Sequence, residues 1–167
     1  MADDDGRWIV VDGRRWRATD PSIPEPLRVE LVAELMAARR AVGAAKRLED
    51  PAAEAAARAR VQDAKVALGE RGEPWWEPPT PAGSATRVRS AMAALARKRA
   101  PATTCPSDAA RAVGGERWRS LMAAARDAAV ALADEGVVEL RQRGEPIDHR
   151  LPWRGPVRVA WVGDDPA

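Results

Sequence analysis

The chain contains no Phe and no Tyr, and this absence constrains its core more than any other feature of the sequence. Ala dominates the stretches with helical spacing, and the larger apolar side chains are Leu, Val, Met and seven Trp. Helices with Ala-rich faces can approach each other closely, but each buries little apolar area, at roughly 25 cal/mol per Å². We therefore expect closely packed helices of modest stability, with the Trp side chains as the main anchors of the core.

The first half of the chain is predicted to form a β-hairpin followed by two antiparallel helices. Residues 8–17 flank Asp12-Gly13, which is a favoured two-residue hairpin turn. Apolar residues at helical spacing predict a first helix that starts within residues 22–26. A second helix is predicted over residues 51–68, because Asp50-Pro51 supplies a cap followed by a first-turn proline. The small side chains of the second helix suit close packing on the first.

A proline-rich stretch, residues 77–84, is predicted to be an extended linker, because three Pro and one Gly in eight residues do not continue a helix. The helix after it is expected to start at Ser84 or Thr86 and to stop at Pro101. The elements predicted beyond that point are a short helix at Pro106–Val113, a Gly114-Gly115 turn, a long helix from Arg117 to about Asp134, and two strands at 137–141 and 157–161.

This order, with a tight glycine turn between two helices and a basic hairpin after the second, is typical of a winged helix-turn-helix. The predicted fold class is mainly α with small β elements (α+β), with an N-terminal β-hairpin plus helical hairpin and a C-terminal winged helix-turn-helix. The predicted domain limits are 1–76 for the β-hairpin and helix pair, 77–84 for the linker, 85–162 for the winged-helix domain and 163–167 for a tail.

Positive charge is concentrated in the second half of the chain. Residues 1–80 carry 13 Lys+Arg against 15 Asp+Glu, a net charge of −2, whereas residues 81–167 carry 14 against 10, a net charge of +4. A phosphate-binding module needs a net positive charge, although a net charge of +4 is a small excess.

Arginines of the long helix and of the wing are the candidate nucleic-acid contacts. Arg119 and Arg126 are seven residues apart and would share one helix face, with Arg117 near the helix start. On a helix that enters the major groove they would meet phosphates or guanine edges. A second basic strip in the wing would suit the backbone of an adjacent groove. The members of this strip are Arg141, Arg143, Arg150, Arg154 and Arg158. The alternative is that both sets form a solvated surface with weak ion pairs.

Other residues that could bear a function have simpler structural explanations. Trp75 and Trp76 bind a protein partner in one hypothesis, and in the other they cover the N-terminal hairpin. His149 is the single histidine and is expected to be an exposed loop residue. Cys105 is the single cysteine, which excludes an internal disulfide and a Cys-based zinc site. Without a Gly-rich phosphate loop, paired carboxylates or metal-ligand spacing, we expect no enzyme activity, cofactor, metal or small-molecule substrate.

The second half also resembles a known family. The residues that carry the likeness are Cys105–Gly115 (CPSDAARAVGG), Trp118–Met122 (WRSLM), Arg143–Asp148 (RGEPID) and Arg154–Arg158 (RGPVR). They are similar to an uncharacterised bacterial winged-helix family that is catalogued as a domain of unknown function, and the likeness covers about residues 84–162. The first half, around Val10–Pro24 and Ala64–Trp76, is similar to small actinobacterial proteins labelled biopolymer transporter Tol. Neither resemblance supplies catalytic or binding residues.

Two functional hypotheses remain. In the first, the chain is a winged-helix nucleic-acid-binding protein, a DNA-associated accessory or regulatory factor. In the second, it is a non-enzymatic adaptor that docks a protein partner through the N-terminal helical hairpin and the Trp75-Trp76 segment. No apolar run approaches the roughly 20 residues of a membrane helix, and the acidic start has the wrong sign for a secretory signal. We therefore expect a cytoplasmic protein without a membrane partner.

Overall fold

A computed structural model describes residues 5–164 of the chain. Its class is α+β, mainly helical with two small antiparallel sheets, as the sequence predicted. In chain order the elements are β1 Trp8–Val11, β2 Arg14–Arg17, α1 Glu25–Arg47, α2 Pro51–Ala67, α3 Pro81–Arg99, α4 Pro106–Gly114, a 3-10 segment Gly115–Leu121, α5 Met122–Asp134, β3 Val138–Gln142, β4 Glu145–Pro146 and β5 Arg158–Trp161. Within the described residues, none of these helices combines the length and the apolar character needed to cross a bilayer.

The N-terminal hairpin and helix pair form as predicted. β1 pairs with β2 in an antiparallel register across the Asp12-Gly13 turn, and α1 packs on α2. Asp50 caps α2, because its carboxylate accepts a hydrogen bond from the N–H of Ala53 at 3.0 Å. Ser22 and Glu25 have the spacing of a capping box at the start of α1, but the box does not form. The Ser22 hydroxyl donates to the carboxylate of Asp20 at 2.7 Å instead, and α1 starts without a side-chain cap.

The predicted linker is shorter than expected, because α3 starts at Pro81 and not at Ser84 or Thr86. Thr80 is its cap, and the Thr80 hydroxyl accepts from the N–H of Gly83 at 3.0 Å. A proline lacks an N–H and has a fixed φ, so in the first turn of a helix it removes only a donor that has no partner there. The helix therefore begins at Pro81, inside the stretch that was predicted to be an extended linker.

The core is continuous through both halves of the chain. It joins residues of α1 and α2 to residues of α3, α4, α5, β3 and β5. α3 lies at its centre, since the seven consecutive residues Ser90–Ala96 are all buried. The Pro-rich segment therefore does not separate two cores, and the ability of each half to fold alone stays a prediction.

The Trp side chains are not the anchors of this core. Its large, fully buried side chains are aliphatic, and they are Leu31, Leu68, Met92, Leu95, Leu132, Leu140, Val88 and Val159. All seven Trp remain at least partly exposed, and Trp16 is 42% exposed. Ala-faced helices pack too closely to enclose an indole ring, so the rings lie at the margins of the core, where several stack with arginines.

The helices of the second half depart from the prediction in one place. α4 forms at the predicted residues, but Gly115–Leu121 is a 3-10 segment and the long helix starts at Met122 rather than Arg117. In a 3-10 helix, residues three apart lie on the same side. Trp118 and Leu121 have this spacing, and both pack against the core while the other side chains of the segment point outward.

The second sheet is built at the C-terminal end. β3 lies between β4 and β5, and both pairings are antiparallel. Thr104 extends this sheet by one bridge to Val159, with reciprocal backbone hydrogen bonds of 2.9 and 2.8 Å. The predicted strands at 137–141 and 157–161 are thus confirmed to within one residue.

Candidate nucleic-acid interface

The structure changes the placement of the three arginines that were assigned to the long helix. Arg117 and Arg119 lie on the 3-10 segment, and Arg126 is on α5. The prediction that Arg119 and Arg126 share one helix face is therefore wrong, because the helix does not extend to Arg119. All three remain without a carboxylate partner among residues 5–164.

Arg119 and Arg126 are each held by an indole ring. The guanidinium carbon of Arg119 lies 4.6 Å from the ring centre of Trp118, and that of Arg111 lies at the same distance. The guanidinium carbon of Arg126 lies 5.0 Å from the ring centre of Trp153. Stacking on an indole orients a guanidinium without neutralising it, so these arginines keep their charge for a partner.

The arginines of the predicted wing divide into two groups. Arg143, Arg150 and Arg154 are exposed and have no ion-pair partner within the described part of the chain. Arg141, in contrast, donates to the carboxylate of Glu139 at 2.7 Å. Arg158 donates to the hydroxyl and the carbonyl of Thr103, both at 2.9 Å. Arg141 is therefore the weakest of the predicted contacts.

The segment between β4 and β5 lies along α5. His149 Nε2 is 2.7 Å from a carboxylate oxygen of Asp134 at the end of the helix. Further along the segment, Trp153 lies beside Arg126 and forms one wall of a shallow groove with Ala123 and Val130 of the helix. Part of the outer face of α5 is thus covered by the segment between β4 and β5.

Charge on this half of the molecule is more positive than the half-chain totals suggest. Residues 85–162 carry 14 Lys+Arg against 8 Asp+Glu, a net charge of +6. Of the carboxylates on and near α5, Glu135 is paired with Arg89, whose Nη2 is 2.5 Å from its oxygen, and Asp134 contacts His149. Asp127 remains exposed on the helix.

Several other arginines hold the core together and do not belong to the candidate interface. Their pairs join different elements through distances of 2.6 to 2.9 Å, and they are Arg60–Glu34, Arg87–Asp20, Arg97–Asp63, Arg99–Glu30 and Arg99–Asp108. The hydrogen bonds from Arg99 lower the pKa of Glu30 below its ordinary value. These pairs distinguish the arginines that join elements from the arginines that have no carboxylate partner among residues 5–164.

Trp75 and Trp76 cover the hairpin, as the structural alternative predicted. The Trp75 indole donates to the carbonyl of Ala18 at 3.0 Å. The Trp76 ring lies 5.2 Å from that of Trp75 and 5.6 Å from that of Trp8, with Arg17 stacked on it. Their binding to a partner stays a prediction, but much of each ring is already in contact with the chain.

Neither the single histidine nor the single cysteine lies in a group of metal-binding side chains. Among residues 5–164, no three or more His, Cys, Asp or Glu are placed to hold a metal ion. Cys105 is half-buried at the start of α4, and its sulfur accepts a hydrogen bond from the Ser107 hydroxyl at 3.0 Å.

A cleft that the sequence did not predict lies between the two halves. Its volume is about 500 Å³, and its walls are the loop 71–79, the first turns of α3 and the corner between α4 and the 3-10 segment. No sequence signal pointed to it, because its lining comes from segments up to 100 residues apart, Asp20 and Ser120 among them.

Residues 85–162 match DUF3253, a family described as a protein of unknown function. The match runs from the first turns of α3 to the residue after β5, and so it includes every arginine of the candidate interface. It confirms the resemblance of the second half to an uncharacterised family. The match to DUF3253 does not bear on the winged-helix description or on the Tol-labelled proteins. No curated protein matches the chain.

Proposed function

We propose that the DUF3253 region is a winged helix-turn-helix module that binds the phosphate backbone of double-stranded DNA. The order of its elements supports this proposal: α3, the Thr104 bridge strand, α4, α5, β3 and β5 follow one another, and Thr104 and β3 flank β5. A helix pair joined by a tight turn and followed by an antiparallel hairpin is the arrangement of winged-helix proteins.

The observation that carries the proposal is the set of exposed arginines without carboxylate partners. Within the described residues of this region they are Arg117, Arg119, Arg143, Arg150 and Arg154, together with Arg158, whose guanidinium donates to Thr103. An arginine without an internal ion pair can bind a phosphate without first breaking such a pair. Its planar guanidinium group can bind two phosphate oxygens.

The geometry favours contacts to the backbone over contacts to the bases. α5 carries one basic residue, Arg126, and that side chain is stacked on Trp153. The wing also covers part of the helix. Because phosphate contacts carry no sequence information, we expect binding that tolerates many sequences, as an accessory factor would show.

The adaptor hypothesis has one observation in its favour, and it lies on α1 rather than at the Trp pair. Val29 and Met36 are seven residues apart on one face of α1 and are 55% and 38% exposed. Such a stripe could contact a partner helix. It is small, however, and the exposed arginines form the larger feature.

The proposal is tested by titrating a fluorescent mixed-sequence DNA duplex with the protein over a series of salt concentrations. Replacing Arg117 and Arg119 together by Glu should weaken binding at least about tenfold and reduce the salt slope by about two, since two phosphate contacts are lost. The matched control replaces Arg39 and Arg40 of α1 by Glu. Both are exposed, and no interaction of either side chain is seen within residues 5–164.

Equal losses in the two double variants would contradict the proposal, because they would show only an effect of net charge. Absence of binding by the unaltered protein at about 50 mM salt would also contradict it, since backbone contacts are strongest at low salt. The adaptor hypothesis would then lead, with Met36→Glu as the variant that tests the α1 stripe.

A further inference from the structure

The cleft between the two halves has the size of a small-molecule site. Its volume of about 500 Å³ falls within the range of roughly 300 to 1,000 Å³ that ligand pockets occupy. One wall is the loop 71–79 with Trp75, the second is the start of α3, and the third is the corner that carries Val113, Arg117 and Leu121.

Part of the lining is fixed by interactions within the chain. Arg87 donates from Nη2 to Asp20 at 2.8 Å and from Nε to the carbonyl of Ala67 at 3.1 Å. Asp20 also accepts from the N–H and the hydroxyl of Ser22. Both side chains are nearly buried, and their charges balance. They give the cleft a rigid surface without an uncompensated charge.

The N-terminus of α3 is not free to bind an anion, because Glu73 occupies it. The Glu73 carboxylate accepts hydrogen bonds from the hydroxyl and the N–H of Thr80, which lower its pKa. It lies directly on Gly83, where an added Cβ would come within 2.0 Å of the carboxyl carbon. The chain thus supplies its own anion to the helix end, and a ligand anion must find another cation.

Two arginines of the lining keep an unneutralised charge. Arg117 has no ion-pair partner among the described residues, and it projects from the 3-10 segment. Arg71 donates to the amide oxygen of Gln62 at 2.7 Å, which leaves its charge intact. Two exposed carboxylates, Glu73 and Glu77, also line the cleft, and Glu73 is held at the start of α3 by Thr80. Glu77 is therefore the one carboxylate of the described lining whose side chain has no hydrogen-bond partner, and it faces two guanidinium groups.

The remaining lining is apolar. The side chains that share this character are Val66, Pro74, Trp75, Pro79, Val113 and Leu121. The indole of Trp75 is held in place by its hydrogen bond to Ala18, so it offers a pre-oriented aromatic surface. A rigid apolar wall beside free guanidinium groups suits a ligand with a flat hydrocarbon body and one anionic group.

We infer that this cleft binds a small amphipathic carboxylate, with its anionic group at Arg117 and Arg71 and its apolar body against Trp75, Val113 and Leu121. Binding itself is independent of the proposed DNA function. One consequence does rest on the proposed DNA function. Arg117 belongs to both the cleft and the proposed DNA interface, so a ligand in the cleft would remove one phosphate contact and weaken DNA binding.

The test uses 1-naphthoate and its uncharged analogue 1-naphthamide as probes of the full-length protein. Seven Trp give seven indole N–H signals in a ¹⁵N-labelled sample, and Trp75→Phe identifies the signal of Trp75. Naphthoate should shift the Trp75 signal saturably and leave the signal of an indole outside the lining, such as Trp153, in place. Naphthamide should bind about tenfold more weakly, since it loses a charge-assisted contact.

Two variants and one control complete the test. Arg117→Gln should abolish the preference for naphthoate, whereas Arg119→Gln, on the same segment but outside the lining, should retain it. Thr86→Phe fills the cleft from an exposed position of α3 and should abolish the shift.

The inference is overturned if naphthoate up to about 10 mM leaves the Trp75 signal unshifted. Equal binding of both probes, or shifts that survive Thr86→Phe, would overturn it too. Loss of DNA binding alone would leave the inference intact.

Discussion

Glu34 of α1 and Arg60 of α2 form an ion pair inside the helix pair. Their side chains are 3% and 10% exposed, and the guanidinium donates to both carboxylate oxygens, at 2.9 and 3.2 Å. Removing two charges from water is costly, and the two-point geometry offsets that cost only while both partners are present. Replacing Glu34 by a neutral side chain therefore removes a buried carboxylate that accepts two hydrogen bonds from the Arg60 guanidinium.

Glu34→Gln should lower the free energy of unfolding by about 3 to 5 kcal/mol, which is the cost of leaving one member of a buried pair. Urea denaturation followed by far-UV circular dichroism measures this change. The matched control is Glu54→Gln, which breaks the more exposed Glu54–Arg58 pair within α2 and should cost less than about 1 kcal/mol. Similar costs for the two variants would show that burial does not set the strength of these pairs.

At this scale the sequence identified the charged residues but not their partners. It predicted eight arginines as candidate contacts, and the structure shows that Arg141 is paired with Glu139 while Arg117 has no carboxylate partner within residues 5–164. Pairing depends on which elements meet. Arg99, for example, binds Glu30 from 69 residues away. A single sequence carries no local signal for such a contact.

Gly115 sets the junction between α4 and the 3-10 segment. Its φ of 52° and ψ of −124° lie in a region that only glycine adopts without strain. Its neighbour Gly114 is in close contact with Leu121, since an added Cβ would lie 2.9 Å from a Leu121 methyl carbon. This junction lets the chain turn sharply and places Arg117 at the edge of the cleft.

Gly115→Ala should therefore destabilise the protein by about 1 to 3 kcal/mol, through backbone strain. The control is Gly43→Ala, in the last two turns of α1, where the opposite sign is expected. A Cβ there would meet only the end of the Arg47 side chain at 3.5 Å, so the substitution should stabilise by up to about 1 kcal/mol. Urea midpoints for both variants provide the comparison. A stabilising Gly115→Ala would show that the backbone at the junction relaxes.

Elements with local signals were predicted well, and elements set by packing were not. The cap Asp50 and the turn Asp12-Gly13 act within a few residues, and both predictions are confirmed. The 3-10 segment arises because Trp118 and Leu121 must both reach the core, which is a tertiary requirement. The start of α3 at Pro81 was missed because the number of prolines outweighed the cap offered by Thr80.

At the scale of the whole molecule, α3 is the helix that joins the two halves of the chain. It packs against α1 and α2 on one side and α4, α5 and β5 on the other. The DUF3253 match begins inside this helix, so the matched region includes α3 but not the two N-terminal helices that cover it. The cleft also depends on both halves of the chain, since it forms where they meet.

A fragment of residues 80–164 should consequently lack cooperative unfolding, because one side of α3 would face water. The expected result is a broad urea transition with a low m-value, and poorly dispersed amide signals. Adding a fragment of residues 1–79 in trans should restore a sharp transition. Such recovery would show that the 80–164 fragment lacked its packing surface, and that cutting the chain had not itself damaged the fragment. A sharp transition for the 80–164 fragment alone would confirm the predicted domain boundary instead.

The central position of α3 also governs the order in which the protein can mature on the ribosome. Synthesis proceeds from the N-terminus, so α1 and α2 are made before the helix that covers their apolar faces. Any delay before α3 can pack would leave Leu31, which is fully buried in the finished protein, open to chaperones once α1 has emerged. The first half of the chain thus depends on the second for its protection during synthesis.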